Sequence, residues 1–142
     1  MKLNTHLVSL PNELFFIGIG GTGMSALATI AFDMGYRVSG SDMYPGENTY
    51  RLQEKGIPVF IGHSRERIEH ASAVVISSAI PPENEELQEA LQRNIPIIHR
   101  GEMLAFFLNK KKGIAIAGTH GKTTTTSMIS LLLEVAGLDP TV

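Results

Sequence analysis

Cysteine is absent from this chain of 142 residues. Its absence excludes disulfide bonds, thiolate metal sites and cysteine nucleophiles, and it suits a reducing cytoplasm. No stretch approaches the roughly 20 consecutive apolar residues that a membrane-spanning helix requires. The opening segment, residues 1–12, carries one lysine and no long apolar run, so it does not resemble a signal peptide. We therefore expect a soluble, cytoplasmic protein.

An excess of charge of either sign is also missing, because 12 Lys and Arg residues face 14 Asp and Glu residues for a net charge of −2. Such a balance does not favour a surface that neutralises nucleic-acid phosphates. The apolar fraction of 43% and the charged fraction of 18% are typical of a folded globular domain. We expect neither a nucleic-acid nor a membrane partner, and the sequence leaves the oligomeric state open.

Short apolar runs alternate with helical patterns along the chain. Near-continuous apolar strands separated by helices indicate a parallel sheet that is covered on both faces. Strands are predicted at residues 14–18, 36–41, 58–62, 73–77, 96–99 and 114–117. Helices are predicted at residues 22–34, 48–55, 83–93, 102–109 and 123–136. The fold class is therefore α/β, with a doubly wound, Rossmann-like parallel sheet.

A basic run, Lys110-Lys111-Lys112-Gly113, separates two structural units in this pattern. We predict an N-terminal extension at residues 1–12 and a Rossmann-like domain at residues 13–109. Residues 110–142 then supply the first strand, loop and helix of a second α/β domain.

The first glycine-rich loop is Gly18-Ile19-Gly20-Gly21-Thr22-Gly23, between a predicted strand and a predicted helix. In a G-x-G-x-x-G loop the glycines allow a tight turn and a close backbone approach to a diphosphate, which the helix N-terminus then binds. Asp42 follows the second strand and can accept a hydrogen bond from a ribose hydroxyl or a base N–H. The pattern predicts a dinucleotide or a nucleotide-diphosphate sugar, and a tight turn without a ligand is the alternative.

The second loop runs from Gly118 through Gly121-Lys122-Thr123 to Thr126, again between an apolar run and a helix. The consecutive N–H groups of this loop predict an anion-binding nest. We expect the Lys122 ammonium to contact the outer phosphates of ATP and the Thr123 hydroxyl to ligate Mg²⁺. The loop departs from G-x-x-x-x-G-K-[ST], because Ile116 stands where that pattern has its first glycine. A threonine-rich helix start with a chance Gly-Lys pair is the alternative.

Six segments together resemble the Mur ligase family, and within it the branch that adds L-alanine, from about Leu14 onward. They are residues 18–25 (GIGGTGMS), 38–42 (VSGSD), 61–63 (IGH), 77–80 (SSAI), 99–104 (HRGEML) and 117–126 (AGTHGKTTTT). The short G-T-x-G-K-T-T loop is the form that this superfamily uses. The branch that recycles murein tripeptide is the nearest alternative, but its first loop carries a cysteine and bulkier residues, and it lacks R-x-E-M-L. Many alanine-adding members have alanine where Gly101 stands here.

The resemblance implies a three-domain enzyme about three times this length that serves peptidoglycan precursor synthesis. Its first domain binds UDP-N-acetylmuramate, its central domain binds ATP with Mg²⁺, and its C-terminal domain helps to hold L-alanine. ATP phosphorylates the muramoyl carboxylate, and the amine of L-alanine attacks the acyl phosphate. We expect residues 1–142 alone to bind the nucleotide sugar without ATP turnover, and the segment after Gly113 to be mobile or held by another copy.

The resemblance also implies residue roles. The predicted substrate-binding residues are Gly20, Gly21, Thr22, Gly23 and Met24 at the diphosphate, Ser41 and Asp42 near the uridine, and His63, Ser78, Ala79 and Arg100 in the same crevice. The predicted ATP-binding residues are Gly118, Thr119, His120, Gly121, Lys122, Thr123 and Thr124. Lys122 and Thr123 would be catalytic, and Thr123 would also ligate Mg²⁺. The alternatives are a surface loop position for His63, and for Arg100 a salt bridge to Glu102 or a surface position.

Two other function classes remain open at this point. An NAD-dependent dehydrogenase would use the first loop and Asp42, but it predicts a second nucleotide-binding half with a catalytic His, Tyr or Lys, where this chain has a phosphate loop. A non-catalytic nucleotide-binding module would require no further domains.

Overall fold

The computed structural model describes residues 9–110 and 113–140, and two compact units divide it, one ending at Phe107 and the other beginning at Leu108. Of the predicted linker at residues 110–113, Lys111 and Lys112 lie outside the described residues. Most of the predicted N-terminal extension, residues 1–8, lies outside them as well. Leu10, which was assigned to that extension, is buried in the core of the first unit.

A five-stranded sheet in the order β3-β2-β1-β4-β5 forms the first unit, and every pair of neighbouring strands is parallel. This confirms the predicted α/β class and the parallel sheet. The strands are β1 (Glu13–Ile17), β2 (Arg37–Asp42), β3 (Val59–Ile61), β4 (Ala73–Ile76) and β5 (Ile97–His99). Their bounds lie within two residues of the predicted ones.

The helices α1 (Thr22–Asp33), α2 (Glu47–Glu54), α3 (Glu85–Gln92) and α4 (Arg100–Lys110) follow the predicted order. A short 3₁₀ helix at Arg65–Ile68 was not predicted, because four residues are too few for an apolar period to show. The described helices include none that is both long and apolar enough to cross a membrane.

Strand β1 shows why both faces of the sheet are covered. Its side chains alternate between faces, so Leu14 and Phe16 enter one core and Phe15 and Ile17 enter the other. The first core also takes apolar residues from α1, α2 and α4, and the second takes them from the 3₁₀ helix and α3. A strand buried on both sides must be apolar throughout, which is the pattern that the sequence has there.

The strand order places β1 at the point where the chain changes direction across the sheet. β2 pairs with one edge of β1, and β4 pairs with the other. In open α/β sheets the loops that leave such strands diverge, and the crevice between them binds ligands. The first glycine loop leaves β1 here, and residues 77–80 leave β4 here.

The second unit contains α5 (Lys122–Val135), one residue from the prediction at each end. The predicted strand at residues 114–117 is wrong, since these residues have no regular secondary structure. An isolated apolar run needs neighbouring strands to pair its backbone, and none pairs with it among the described residues. No residue of α5 is buried, although Met128, Leu132 and Val135 are apolar.

Candidate functional site

The first glycine loop folds over the end of β2. The Gly18 and Ile19 N–H groups both donate to the Ser41 carbonyl, at 2.8 Å and 2.9 Å. Gly18 has a φ of +75°, which only glycine adopts readily. The Gly21 N–H donates back to the Gly18 carbonyl at 3.2 Å, which closes a tight turn. The loop is therefore fixed before α1 begins.

The N-terminus of α1 is open. Gly21 occupies the N-cap position with φ −60° and ψ 142°, and no side chain caps the helix. Helix geometry leaves the first-turn N–H groups of Thr22, Gly23 and Met24 without an intrahelical acceptor. Gly21 and Thr22 are exposed. These N–H groups and the helix dipole together favour an anion at this point.

Asp42 contributes to this loop in a way that the sequence did not indicate. One oxygen of its carboxylate accepts the Gly20 N–H at 2.8 Å, and the Asn48 side-chain amide donates to the Gly20 carbonyl at 2.8 Å. The second Asp42 oxygen lies 3.4 Å from the Tyr44 N–H. The Gly20 N–H is already paired, so Gly20 shapes the loop but has no free N–H group for a ligand. The N–H groups available to a ligand belong to the residues that follow it.

Arg100 approaches the same helix end from the start of α4. A Cβ placed on Gly23 would overlap the Arg100 guanidinium, so glycine is needed for the arginine to lie there. The suggested salt bridge to Glu102 is not formed; the Glu102 carboxylate accepts the His99 N–H at 2.8 Å instead. Arg100 is exposed, and none of the described carboxylates forms an ion pair with it.

A cleft of about 530 Å³ lies beside the loop. The predicted site residues that line it are Gly20, Gly21, Met24, Asp42 and Ala79. Sequence reasoning missed the other lining residues: Gly18, Tyr44, Gly46, Glu47, Asn48, Thr49, Ser77 and Ile80. Most of these belong to α2 and its approach, which carry no recognisable motif. Ser78 is exposed and does not line the cleft.

Ser41 and His63 lie together, and neither of them lines the cleft. Ser41 is fully buried, its hydroxyl donates to the Glu86 carboxylate, and the His63 Nδ1 atom lies 2.7 Å from the same oxygen. Glu86 was not predicted as a site residue, because a glutamate in the first turn of a polar helix is typical of a surface position. Ser64 follows His63, and its hydroxyl donates to Glu66, which lowers the pKa of that exposed carboxyl.

The second loop is built around a left-handed glycine. Gly121 has a φ of +78° at the N-cap of α5, and no side chain caps this helix either. The Lys122 ammonium donates to the Gly118 carbonyl at 2.6 Å and so lies across the loop. Thr123 and Thr124 occupy the exposed first turn, whose N–H groups lack intrahelical acceptors. This arrangement of donors and one ammonium suits a phosphate chain.

Two other predicted residues of this loop, Thr119 and His120, are exposed at the bend before Gly121. Groups of three or more metal-ligating His, Asp or Glu side chains do not occur in the described part of the chain. Thr123 carries its hydroxyl in the exposed first turn of α5.

Curated relatives resemble this chain over most of its length. It is 58% identical over 130 residues to a UDP-N-acetylmuramate–L-alanine ligase from Aquifex aeolicus. The match covers 92% of this chain and 29% of the relative. It is 54% identical over 130 residues to the ligase of that name from Dictyoglomus turgidum, covering 92% of this chain and 28% of the relative. The chain therefore spans less than a third of the length of these relatives.

Solved structures are similar in fold. A UDP-N-acetylmuramate-alanine ligase from Thermotoga maritima matches with a TM-score of 0.80 and 36% identity, covering 86% of this chain and 29% of that one. A murein peptide ligase from Psychrobacter arcticus matches with a TM-score of 0.80 and 31% identity, covering 87% of this chain and 26% of that one. The sequence model of the Mur ligase family, catalytic domain, matches residues 13–125. The chain belongs to the Mur ligase family.

Proposed function

We propose that the whole protein joins L-alanine to the carboxylate of UDP-N-acetylmuramate at the expense of ATP, in the cytoplasm, and that the first unit holds the nucleotide sugar. The observation that carries the proposal is the open N-terminus of α1, with exposed Gly21 and Thr22 and with Arg100 against Gly23. The names of the curated relatives, at 54–58% identity, support the same substrates.

The chemistry explains why one protein carries two phosphate-binding loops. A carboxylate is a poor electrophile, because its charge is delocalised and oxide is a poor leaving group. Transfer of the γ-phosphoryl group of ATP to a carboxylate oxygen releases ADP and forms an acyl phosphate. The amine of L-alanine then attacks the acyl carbon, inorganic phosphate leaves, and the nitrogen loses a proton. Both substrates must be held close together for this transfer.

In the first unit, the N–H groups of Thr22, Gly23 and Met24 and the guanidinium of Arg100 would bind the diphosphate. A charge-assisted hydrogen bond of this kind contributes about 1.5–3 kcal/mol. Asp42 would shape the loop through Gly20 and present its other oxygen to the uridine side of the cleft, which Ala79 also lines.

In the second unit, Lys122 and the first-turn N–H groups of α5 would bind the ATP phosphates, with Gly118, Thr119, His120 and Gly121 forming the loop itself. The left-handed Gly121 and the exposed helix start fit this role, since they direct donors outward. Thr123 would offer its hydroxyl to Mg²⁺, which neutralises phosphate charge when it is bound.

Of the alternatives, a murein-tripeptide recycling ligase shares the fold, and its solved relatives are 31–36% identical. The curated relatives that carry the alanine-adding name are 54–58% identical, which favours the alanine-adding activity. The dehydrogenase alternative loses its support, because the chain belongs to a ligase family.

Gly21→Val tests the substrate loop. A Cβ at Gly21 would lie 3.4 Å from the Gly18 carbonyl oxygen and 3.8 Å from the Met24 side chain, both ordinary van der Waals distances. The added side chain would occupy the path of the diphosphate to the backbone. We expect the affinity for UDP-N-acetylmuramate, measured by calorimetry, to fall at least about tenfold. Gly101→Val is the matched control, since a Cβ there meets open space. Unchanged affinity in a folded Gly21→Val chain would remove the diphosphate from this loop.

Residues 1–142 alone are expected to bind UDP-N-acetylmuramate but to show no L-alanine-dependent release of phosphate from ATP. Phosphate loops of this type also require an acidic Mg²⁺ ligand from a later strand. Residues 113–142 contain only Glu134 and Asp139 as acids, and both lie beyond the loop. A phosphate-release assay on protein purified from a host strain whose own ligase is separable would test this. Turnover above the background of a Lys122→Ala preparation would contradict it.

A further inference from the structure

Three side chains from three elements meet in a buried cluster that the proposed function does not use in full. Ser41 is the penultimate residue of β2, His63 follows β3, and Glu86 lies in the first turn of α3. The Ser41 hydroxyl and the His63 Nδ1 atom lie 2.5 Å and 2.7 Å from the same Glu86 oxygen, Oε2. The Ser64 N–H donates to the other oxygen, Oε1, at 3.2 Å. The Glu86 side chain has no exposed surface, and that of His63 is 12% exposed.

The hydrogen-bond pattern assigns the protons of this cluster. With Glu86 in its carboxylate form, which accepts and cannot donate, Ser41 and His63 both donate to it. The 3.0 Å separation of Ser41 Oγ and His63 Nδ1 then follows from their shared acceptor. The negative charge lies at the start of α3, where the helix dipole stabilises it. In this arrangement His63 carries its proton on Nδ1.

The other ring nitrogen of His63, Nε2, is not fully buried. Within residues 9–110 and 113–140, every buried side-chain nitrogen or oxygen has a hydrogen-bond partner, and Nε2 has none there, so it is not buried. The Gly62 N–H donates to the Asp42 carbonyl at 2.8 Å, which holds the residue before His63 against the strand end that carries Asp42. Asp42 itself lines the cleft.

We propose that Glu86 is a positioning residue for the nucleotide sugar. It fixes the His63 proton on Nδ1, so that the neutral ring presents Nε2 as a hydrogen-bond acceptor to a hydroxyl or N–H of the substrate. The inference rests on the proposed function, because it takes the cleft beside Asp42 as the site of UDP-N-acetylmuramate. A histidine tautomer is commonly set in this way by the partner of the opposite nitrogen.

Glu86→Gln changes the tautomer without changing the volume of the side chain. Only the amide oxygen of glutamine can accept the Ser64 N–H, so the amide NH₂ group must face Ser41 and His63. Nδ1 of His63 then becomes an acceptor, and its proton moves to Nε2. In this variant the Nε2–H group of His63 would face a hydroxyl or N–H donor of the substrate. Two donors cannot bond each other, so the hydrogen bond between His63 and the substrate would be lost.

The experiment uses residues 1–142 with ¹⁵N-labelled histidine at about pH 8, above the usual histidine pKa. In the wild-type chain we expect the ¹⁵N shifts of His63 to show a protonated Nδ1 and an unprotonated Nε2, and in Glu86→Gln the reverse. The affinity for UDP-N-acetylmuramate should fall at least about tenfold in Glu86→Gln. Glu85→Gln is the matched control, since it removes the same charge from the adjacent, exposed position.

A double-mutant cycle separates positioning from a general effect on the fold. In a His63→Ala background, Glu86→Gln should cause no further loss of affinity, because Glu86 acts through the imidazole. Additive losses would overturn the proposal, as would a wild-type His63 with its proton on Nε2 or on both nitrogens. A reversed tautomer with unchanged affinity would overturn it as well.

Two further results keep this inference distinguishable from the proposed function. If the wild-type chain shows the Nδ1 proton but does not bind UDP-N-acetylmuramate, the proposed function fails for this unit and the substrate role of Glu86 fails with it, while the tautomer assignment stands. If Glu86→Gln does not fold, the ¹⁵N spectrum of the wild-type chain tests the proposal. Binding of UDP-N-acetylmuramate must then change the ¹⁵N chemical shift of His63 Nε2. An unchanged Nε2 at saturating ligand overturns the proposal.

Discussion

Lys122→Ala in the full-length protein is expected to abolish L-alanine-dependent phosphate release while leaving the affinity for UDP-N-acetylmuramate unchanged. The Lys122 ammonium lies across the second loop and bonds the Gly118 carbonyl, where an ATP phosphate chain would meet it. Without this charge the transferring phosphoryl group loses a fixed electrostatic partner, and effects of about 10²–10³-fold or more on rate are typical of such groups. Phosphate release and calorimetry measure the two quantities separately.

Lys55→Ala is the control for Lys122→Ala, because Lys55 forms an exposed ion pair with Asp33 in the first unit. Loss of this ion pair should change neither the rate of phosphate release nor the affinity for UDP-N-acetylmuramate appreciably. Phosphate release by Lys122→Ala above about a tenth of the wild-type rate would remove this lysine from its assigned role. A parallel loss of UDP-N-acetylmuramate affinity would show that the two loops do not act separately.

Gly40→Ala is expected to destabilise the first unit and to weaken substrate binding at the same time. A Cβ at this position in β2 would overlap the Phe16 carbonyl oxygen and come within 2.8 Å of the Ile19 side chain. Ile19 is fully buried under the first glycine loop, so relief of the overlap must shift the loop or the strand. Overpacking of this kind costs about 1–3 kcal/mol in the free energy of unfolding.

Urea unfolding with and without UDP-N-acetylmuramate measures both effects of Gly40→Ala. Gly101→Ala is the control, since a Cβ there meets no neighbour and the helix gains from alanine by about 0.5–1 kcal/mol. Equal stability of Gly40→Ala and the wild-type chain would show that β2 can move away from β1 without cost. Retained affinity in a destabilised variant would uncouple the loop from Ile19.

The sheet was largely predictable because its strands are buried on both faces and must be apolar throughout, as Ala73–Ile76 is. The two loops were predictable because glycine spacing is a local signal. The strand at residues 114–117 was not, because an apolar run shows burial but not the presence of a partner to pair with. The same limit applies to α5, whose helical period was correct although none of its residues is buried.

The candidate site was less predictable than the fold, because its polar contacts join residues far apart in the chain. Asp42 was assigned to the uridine, yet its carboxylate also pairs with the Gly20 backbone. Glu86 gave no signal at all, since burial of a carboxylate depends on donors from Ser41, His63 and Ser64 that sequence spacing does not bring together. Such contacts follow from the strand order, which no single motif encodes.

The pairing of Gly20 with Asp42 and Asn48 has a consequence for the thermodynamics of binding. Glycine loses more conformational entropy than any other residue when it is ordered, and a glycine-rich loop would ordinarily lose it at the moment that a ligand binds. Here two hydrogen bonds of 2.8 Å already restrain Gly20 on both sides. The loop is therefore ordered when the chain folds, and the proposed diphosphate would bind a backbone that is already restrained.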